Sequence, residues 1–305
     1  MEDKNRSEIL KKIVADQSIP SLSPVALQLI NAAADERTSA QELSSIIQRD
    51  PGLATRLLRM VNSVSFARKT PVASVTQAVV ALGFKRVRMM ALSLSMRDTF
   101  PLGNVGNMDY DYFWQTSLYR ALIARDFVRA SADCPVDPEE AFLAGLILEV
   151  GLLLLYQSSK KARESLAGLR FPMEELLRWG QNAVGLHHRD VGSFALEQWG
   201  FPGPMVECQR FYGDSAIESG KSSLCVVVEL ARRATEFVFG QCADPAASVF
   251  DQTQRLLGLD RESMDGIMSE TFRNVEDLAG YLQISLDSQK EMIEALEKWK
   301  QTSPA

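Results

Sequence analysis

Residues 38–62 read TSAQELSSIIQRDPGLATRLLRMVN and carry the start signals of two consecutive helices. Thr38 and Ser39 each stand three residues before a glutamine or a glutamate, which is the spacing of a capping box, and the apolar residues that follow recur at helical intervals. Asp50 then precedes Pro51. An aspartate here can accept from the free backbone N–H groups of the next helix, and proline suits its first turn. The stretch predicts two helices joined at a sharp corner.

Helix signals continue along the chain, while the period-two alternation of strands is scarce. Ser74 and Gln77 form another capping pair, and Gly83 is placed to end that helix in a left-handed conformation. The valines at 226–228 are flanked by residues at helical spacing, so we assign them to a helix despite their β propensity. The remaining predicted helices are 86–96, 112–130, 138–157, 173–179, 187–198, 205–211, 222–239, 250–257, 262–282 and 288–300. The predicted fold class is all-α, with an N-terminal helical bundle packed against a second bundle.

A segment rich in glycine, proline and asparagine, PLGNVGNMDY at residues 101–110, is predicted to be a loop at a subdomain boundary. We predict an N-terminal helical lead-in at 1–18 and an N-terminal helical subdomain at 19–100. A second helical subdomain follows at 108–215, and a C-terminal helical extension packs on it at 216–305. The last helix of this extension is expected to contribute to the core, with docking or dimerisation as the functional alternative.

Composition favours a globular protein, because 46% of the 305 residues are hydrophobic. The four cysteines are far apart and form no CxxC pair, which is typical of reduced thiols. The first ten residues, MEDKNRSEIL, lack the apolar centre of a secretory signal. The longest apolar run, Ala141 to Tyr156, contains Glu149 and is shorter than the roughly 20 residues of a membrane span. We therefore expect a cytoplasmic protein without a membrane span, in which this run is a buried helix.

The charge of the chain is unevenly distributed. Net charge is −6 and the sequence pI is about 5.2, which disfavours nucleic acid and anionic membranes as partners. From Pro51 to Arg97, however, there are eight lysines and arginines and no acidic residue, whereas Asp244 to Ala305 contains twelve acidic and six basic residues. Such asymmetry can steer a partner or hold two parts of one chain together, although a solvated face is the commoner origin of a charge run.

A series of short motifs runs from Ile19 to Tyr212. The motifs are Pro20-x-x-x-Pro24, DPGL at 50–53, LLRMVNS at 57–63, the helix of 74–83 followed by Arg86, FWQTS at 113–117, AFLAGL at 141–146, GLLL at 151–154, HRDVG at 188–192 and WGFP at 199–202. In these motifs the chain resembles the HDOD family, the HD-related output domains of bacterial signalling proteins. The resemblance implies an all-helical domain whose second half is shaped like an HD phosphohydrolase, acting as a regulatory module that is often joined to receiver or nucleotide-signalling domains.

The resemblance also allows the metal-ligand positions of HD phosphohydrolases to be compared with this chain. It places Thr116 where the enzymes have their first histidine, and Leu148 and Glu149 where they have the His-Asp doublet. Arg232 stands where a further carboxylate is expected, and of the family histidines only His188 remains. Hydrolysis by metal-activated water needs several convergent imidazole and carboxylate ligands. We therefore expect a pseudoenzyme with no catalytic residues, no metal and no cofactor.

A vestigial groove is still expected at this place. Its candidate residues are Thr116, Arg120, Leu148, Glu149, His188 and Asp190. Each has an ordinary structural interpretation: Glu149 can pair with a nearby arginine, and His188 can cap a helix or form a hydrogen bond in the core.

The favoured function is that of a regulatory module that binds a signalling protein, such as a kinase, a receiver or a nucleotide-signalling domain. Arg59, Arg86 and Arg88 are the candidate contact face, because arginine forms bidentate contacts with carboxylate and phosphate. The same arginines could instead bind a small phosphorylated ligand such as a cyclic dinucleotide.

Two alternatives from other classes stay open at the level of sequence. One is a metal-dependent phosphohydrolase or phosphodiesterase with an unusual ligand set, built from Glu149, His187, His188 and Asp190. Neighbouring histidines on a helix point about 100° apart, which opposes this set. The other is a DNA-binding regulator that uses the basic helices, which the overall acidity opposes.

Overall fold

A computed structural model of the chain describes Leu10 and residues 21–32, 38–62, 71–166, 168, 170, 173–218, 220–240, 246–287, 294, 296, 297 and 299. In these residues almost all regular structure is helical. The exception is an antiparallel pair of two-residue strands, β1 (Asn104–Val105) and β2 (Met108–Asp109), within the predicted loop. The all-α prediction is confirmed.

The N-terminal helices surround one central helix. They are α1 (Pro24–Asn31), α2 (Ala40–Gln48), α3 (Pro51–Val61), α4 (Val75–Leu82) and α5 (Phe84–Asp98). The central member is α5, which packs against each of the other four. Its length and its mostly buried side chains, among them Met89, Met90 and Leu94, make it the core of this part of the fold.

The predicted start signals are present in the structure. Of the two possible capping boxes, the one formed is that of Ser39 with Glu42: the Ser39 hydroxyl accepts from the Glu42 N–H at 3.1 Å, and the Glu42 carboxylate accepts from the Ser39 N–H at 3.3 Å. The Asp50 carboxylate accepts from the backbone N–H of Leu53 at 2.9 Å, with Pro51 at the first position of α3. The corner between α2 and α3 is thus encoded locally.

We expect Asp50→Ala to lower the free energy of unfolding by about 1 kcal/mol, because the N–H group of Leu53 loses its acceptor. Urea denaturation followed by circular dichroism measures the change. Asp50→Asn is the control, since asparagine caps a helix about as well as aspartate does. A full loss with the asparagine variant would contradict the capping role.

Gly83 separates α4 from α5, but its conformation differs from the predicted left-handed cap. Its φ is +90° as expected, yet its ψ of 153° is extended. This combination is open essentially to glycine alone. Because α5 begins at the very next residue, the whole change of direction between the two helices falls on this one glycine.

The second part of the fold is built around one long helix. Its elements are α6 (Tyr110–Ala130), α7 (Pro138–Leu146), α8 (Val150–Ser158), α9 (Lys160–Ser165), α10 (Met173–Val184), α11 (His188–Gln198), α12 (Gly203–Arg210), α13 (Asp214–Ile217), α14 (Ser223–Val238), α15 (Ala246–Leu257) and α16 (Arg261–Leu282). The long helix α6 packs against α7, α14 and α16, and α8 packs against α11. The valines at 226–228 lie in α14, as predicted.

The helix predicted over 138–157 is interrupted. The chain leaves helical geometry between Leu146 and Val150, and the carbonyl oxygen of Ile147 accepts from the side-chain amide of Gln209 at 2.9 Å. A tertiary contact thus satisfies a backbone group at the break. By length and composition alone, Pro138–Ser158 would be long enough to cross a membrane, but 89% of its most apolar 18-residue stretch is buried inside the protein. The expected buried segment is confirmed, as two helices.

The C-terminal helices contact both halves of the fold. Helix α16 packs on α6 and also on α3 and α5. Most of the predicted helix 288–300 lies outside the described residues, as does the lead-in at 1–18 apart from Leu10. The described Trp299 is buried beside Phe237 and Phe250, in agreement with a core role. Buried residues on both sides of the predicted subdomain boundary belong to one hydrophobic cluster.

Candidate functional site

The break between α7 and α8 holds Glu149 inside the protein, where it is 6% exposed. One carboxylate oxygen accepts from Nε2 of His188 at 2.8 Å, and the other accepts from Nη2 of Arg189 at 2.6 Å. Both partners open helix α11 and are themselves buried. Arg189 also donates to the carbonyl oxygen of Cys208 at 2.9 Å. Both oxygens of this buried acid are therefore occupied by side chains of the protein.

Two glycines let α8 and α11 approach closely enough for this contact. A β-carbon on Gly151 would lie 2.0 Å from the carbonyl oxygen of His188 and 2.6 Å from the backbone nitrogen of Gly192. A β-carbon on Gly192 would lie 2.4 Å from the side-chain oxygen of Gln209. Backbone atoms cannot yield as flexible side chains do, so the distance between these helices requires glycine at position 151.

The partners of Glu149 keep it ionised. Burial by itself raises the pKa of a carboxyl group, but the charge of Arg189, the hydrogen bond from His188 and the charge of Arg120 together hold the pKa of Glu149 well below its usual value. The folded pKa is thus lower than the unfolded one. Its contribution to stability is present above the unfolded pKa and is lost as pH falls through the folded pKa.

We expect the free energy of unfolding to decrease as pH falls below about 4.3, the ordinary pKa of glutamate. Glu149→Gln should weaken this pH dependence without abolishing it, because a second buried glutamate, Glu229, also has a lowered pKa. Burial raises the pKa of Glu229, but the charge of Arg232 and the hydrogen bond from Arg232 lower it by more. Urea denaturation between pH 7 and pH 3 measures the slope. Identical slopes for wild type and variant would contradict the ionised assignment.

A second ionic cluster lies on α14. The Arg232 guanidinium contacts Glu229 through Nε at 2.9 Å and Nη2 at 2.6 Å, and Glu236 through Nη1 at 2.5 Å. Arg233 joins Glu229, at 3.1 Å, to Asp214, at 2.9 Å. Arg232, which the resemblance places where HD phosphohydrolases have a carboxylate, therefore has its charge matched by two glutamates of its own helix.

Residues of both ionic clusters line one cavity of about 50 Å³. It lies between α6, α8, α10 and α14, and Thr116, Arg120, Glu149 and Arg232 all line it. Positions that the resemblance relates to metal ligands of HD phosphohydrolases, Thr116, Glu149 and Arg232, thus meet in space. The Thr116 hydroxyl donates to the backbone carbonyls of its own helix.

The other predicted groove residues do not line this cavity. Leu148 is buried in the core, and His188 reaches the groove only through Glu149. Asp190 accepts from the backbone N–H of His187 at 3.2 Å and so caps α11. Sequence reasoning missed Arg189 and Glu236. The sequence did contain a signal for Arg189. This arginine follows His188 in the motif HRDVG at 188–192, and it places a positive charge in a helix whose side chains are mostly buried.

The three arginines of the predicted contact face do not share a surface. Arg59 is exposed, whereas Arg86 is partly buried and pairs with Glu139 at 3.1 Å. Arg88 is only 6% exposed, and burial lowers its pKa. Residues two apart on a helix point in nearly opposite directions, so Arg86 and Arg88 cannot face one partner. The expectation of an exposed Arg88 is wrong.

The fold and the groove define an all-helical domain in which a threonine and an arginine stand where the resemblance places metal ligands of HD phosphohydrolases. The chain belongs to the HDOD family: the family model described as HDOD domain matches residues 19–214. An uncharacterized protein of Treponema pallidum (strain Nichols) is 22% identical over 208 residues, which are 65% of this chain and 39% of that relative. The chain thus spans about two fifths of the length of this curated relative.

Solved structures share the fold. An HDOD domain protein with unknown function from Geobacter sulfurreducens has a TM-score of 0.68 and 17% identity, with 92% of this chain and 99% of that chain covered. A candidate signal transduction protein from Marinobacter aquaeolei VT8 also has a TM-score of 0.68, with 21% identity and coverage of 92% and 66%. A candidate phosphohydrolase from Shewanella amazonensis SB2B has a TM-score of 0.65, with 18% identity and coverage of 95% and 97%.

Proposed function

We propose that this chain is a non-catalytic regulatory output module of bacterial signalling, acting in the cytoplasm by binding a signalling protein or a small ligand. The observation that carries the proposal is the chemistry of the groove. Where an HD phosphohydrolase gathers metal ligands, this chain gathers the guanidinium groups of Arg120 and Arg232 and a carboxylate, Glu149, that is already bound by Arg189 and His188.

The donor set is poorly suited to a divalent metal. A catalytic zinc or related site uses three or more convergent neutral or anionic ligands and keeps an open position. In the described residues, no three side chains of His, Cys, Asp or Glu are grouped to hold a metal ion. A dication at the cavity would also face Arg120 and Arg232, whose charges repel it. Both considerations favour recognition over hydrolysis.

Membership in the HDOD family and the fold shared with a candidate signal transduction protein support a regulatory role. The proposed partner is a kinase, a receiver or a nucleotide-signalling domain. Of the predicted contact arginines, Arg59 is the exposed one. Charge reversal by Arg59→Glu, combined with pull-down from the native cell, tests this surface. Retention of every partner by the variant would remove Arg59 from the interface.

DNA binding has less support. Several cations of the basic stretch are engaged within the protein: Arg56 with Asp98, and Lys85 with Glu140 at 3.1 Å. Paired cations release fewer counterions from a phosphate backbone, so little salt-dependent affinity is expected from them.

The competing function, metal-dependent phosphoester hydrolysis, is tested directly. Protein purified without chelators should contain transition metal well below one ion per chain by mass spectrometry, and should not hydrolyse bis(p-nitrophenyl) phosphate with added Mn²⁺. Stoichiometric metal that disappears in Glu149→Ala, together with turnover lost in the same variant, would overturn the proposal in favour of a divergent hydrolase.

A further inference from the structure

Arg120 is a buried cation that contacts no carboxylate in the part of the chain that the structure describes. Its side chain is 5% exposed, donates from Nε to the carbonyl oxygen of Gly145 at 2.7 Å and from Nη2 to the hydroxyl of Ser117 at 3.0 Å. Both acceptors are neutral. Among the described residues Arg120 forms no ion pair, in contrast to Arg189, which binds Glu149, and to Arg232, which lines the same cavity.

Burial makes this arrangement costly. Desolvation lowers the pKa of Arg120 to about 10 although the nearby charge of Glu149 raises it, and at that value the group is still charged at neutral pH. An ion held away from water is stable only when an opposite charge or strong hydrogen bonds compensate it. These two hydrogen bonds engage Nε and Nη2 and leave Nη1 of Arg120 without an acceptor in the described part of the chain.

The cavity beside Arg120 has the dimensions of a small ligand. Its volume of about 50 Å³ exceeds the roughly 10–15 Å³ that one water molecule requires. The cavity is also lined by Thr116, which carries a hydroxyl group, and by apolar side chains, including Met173 and Leu176. A group of a few heavy atoms therefore fits beside the guanidinium, and a larger body would have to extend outside.

We propose that this cavity binds a small oxyanion, free or as the head group of a phosphorylated or carboxylated metabolite, with Arg120 as its principal counter-charge. This inference rests on the proposed non-catalytic function and names the ligand class of the same groove. A guanidinium suits the role because it forms directed, charge-assisted hydrogen bonds to phosphate and carboxylate oxygens.

The acidic groups that face the cavity are compatible with an anion. The charge of Glu149 is matched by Arg189, and Glu236 is bound to Arg232. Burial raises the pKa of Glu236 despite this partner, so its carboxyl accepts a proton more readily than usual. Arg120 is thus the cation in this group whose charge no contacting carboxylate matches.

The test is a titration at constant ionic strength, with chloride as the reference anion. Inorganic phosphate, phenyl phosphate and acetate are added separately, and binding is followed by the rise in melting temperature and by ³¹P NMR for the two phosphorus ligands. We expect at least one of the three to bind saturably. Arg120→Gln should weaken that binding roughly ten- to a hundredfold, the loss of one or two charge-assisted hydrogen bonds.

Two further variants keep the test decisive. Thr116→Leu fills the cavity while Arg120 stays in place, and should abolish binding even if Arg120→Gln fails to fold. Arg88→Gln is the matched control: Arg88 is also a buried arginine, but its neighbouring cavity is only about 10 Å³, and binding should be unchanged.

Absence of saturable binding of all three anions would overturn the inference, as would undiminished binding by Arg120→Gln or Thr116→Leu, or equal loss in Arg88→Gln. Hydrolysis of phenyl phosphate is a separate readout. Turnover would remove the proposed non-catalytic function, whereas a lack of both binding and turnover would remove the oxyanion site alone.

Discussion

Gly151→Ala is expected to lower the free energy of unfolding by about 3 kcal/mol or more, and to reduce the yield of folded protein. The added methyl group would lie 2.0 Å from the carbonyl oxygen of His188 and 2.6 Å from the backbone nitrogen of Gly192. Neither atom can move without displacing α11, because both belong to the backbone of its first turns. Helices α8 and α11 must therefore move apart, and this movement breaks the contact between Glu149 and His188.

Gly266→Ala is the matched control for this change. Gly266 also lies inside a helix, α16, but a β-carbon there would meet nothing within 4 Å. Alanine should then stabilise the protein by about 0.5–1 kcal/mol through helix propensity. Urea denaturation of both variants gives the two values. Equal behaviour of the two alanines would show that the close approach of α8 and α11 does not limit stability.

Glu149→Ala is expected to cost about 3–5 kcal/mol of unfolding free energy at neutral pH. Removing the carboxylate leaves Arg189 as a buried cation without its ion pair and deprives His188 of its recorded acceptor, and an uncompensated buried charge is among the most destabilising changes. The measurement is chemical denaturation at pH 7. Circular dichroism before denaturation establishes whether the variant is still folded.

Glu270→Ala provides the comparison for an exposed ion pair. Glu270 contacts Arg273 at 2.7 Å, and the two side chains are 50% and 70% exposed, so its loss should change stability by less than about 1 kcal/mol. A double variant, Glu149→Leu with Arg189→Met, removes both charges and should recover much of the lost stability. If Glu149→Ala cost no more than Glu270→Ala, the buried network would not be the structural centre of the groove.

Gly151 and Glu149 lie at one place, the break between α7 and α8, where the chain departs from what the hydrophobic periodicity indicates. The apolar run of 138–157 has the pattern of one buried helix, and nothing local marks a stop near Glu149. At the break Gln209 donates to the carbonyl of Ile147, and Arg189 and His188 hold Glu149 against α11. All of these partners are about 40 to 60 residues away in sequence, so only the folded chain brings them together.

The groove, too, combines features that the sequence predicted with features that only the tertiary structure shows. The resemblance related Thr116, Glu149 and Arg232 to positions of metal ligands, and the structure places all three on one cavity. The resemblance could not reveal that Arg120 contacts no carboxylate among the described residues, or that Arg88 is buried. Both properties depend on which faces of a helix its neighbours cover. The two helices concerned, α5 and α6, carry polar and charged residues on faces that the fold buries, so the sequence pattern does not define the covered face.

The sequence by itself determined the helical class, the family and the positions where helices begin, because caps such as Ser39 and Asp50 act within a few residues of themselves. The tertiary structure alone decided which charges are paired in the interior. A buried ion is stable only beside partners that chain folding brings near, and these partners come from α6, α8, α11 and α14. The distribution of buried charge, and with it the chemistry of the groove, is therefore a property of the packed helices and not of any one segment.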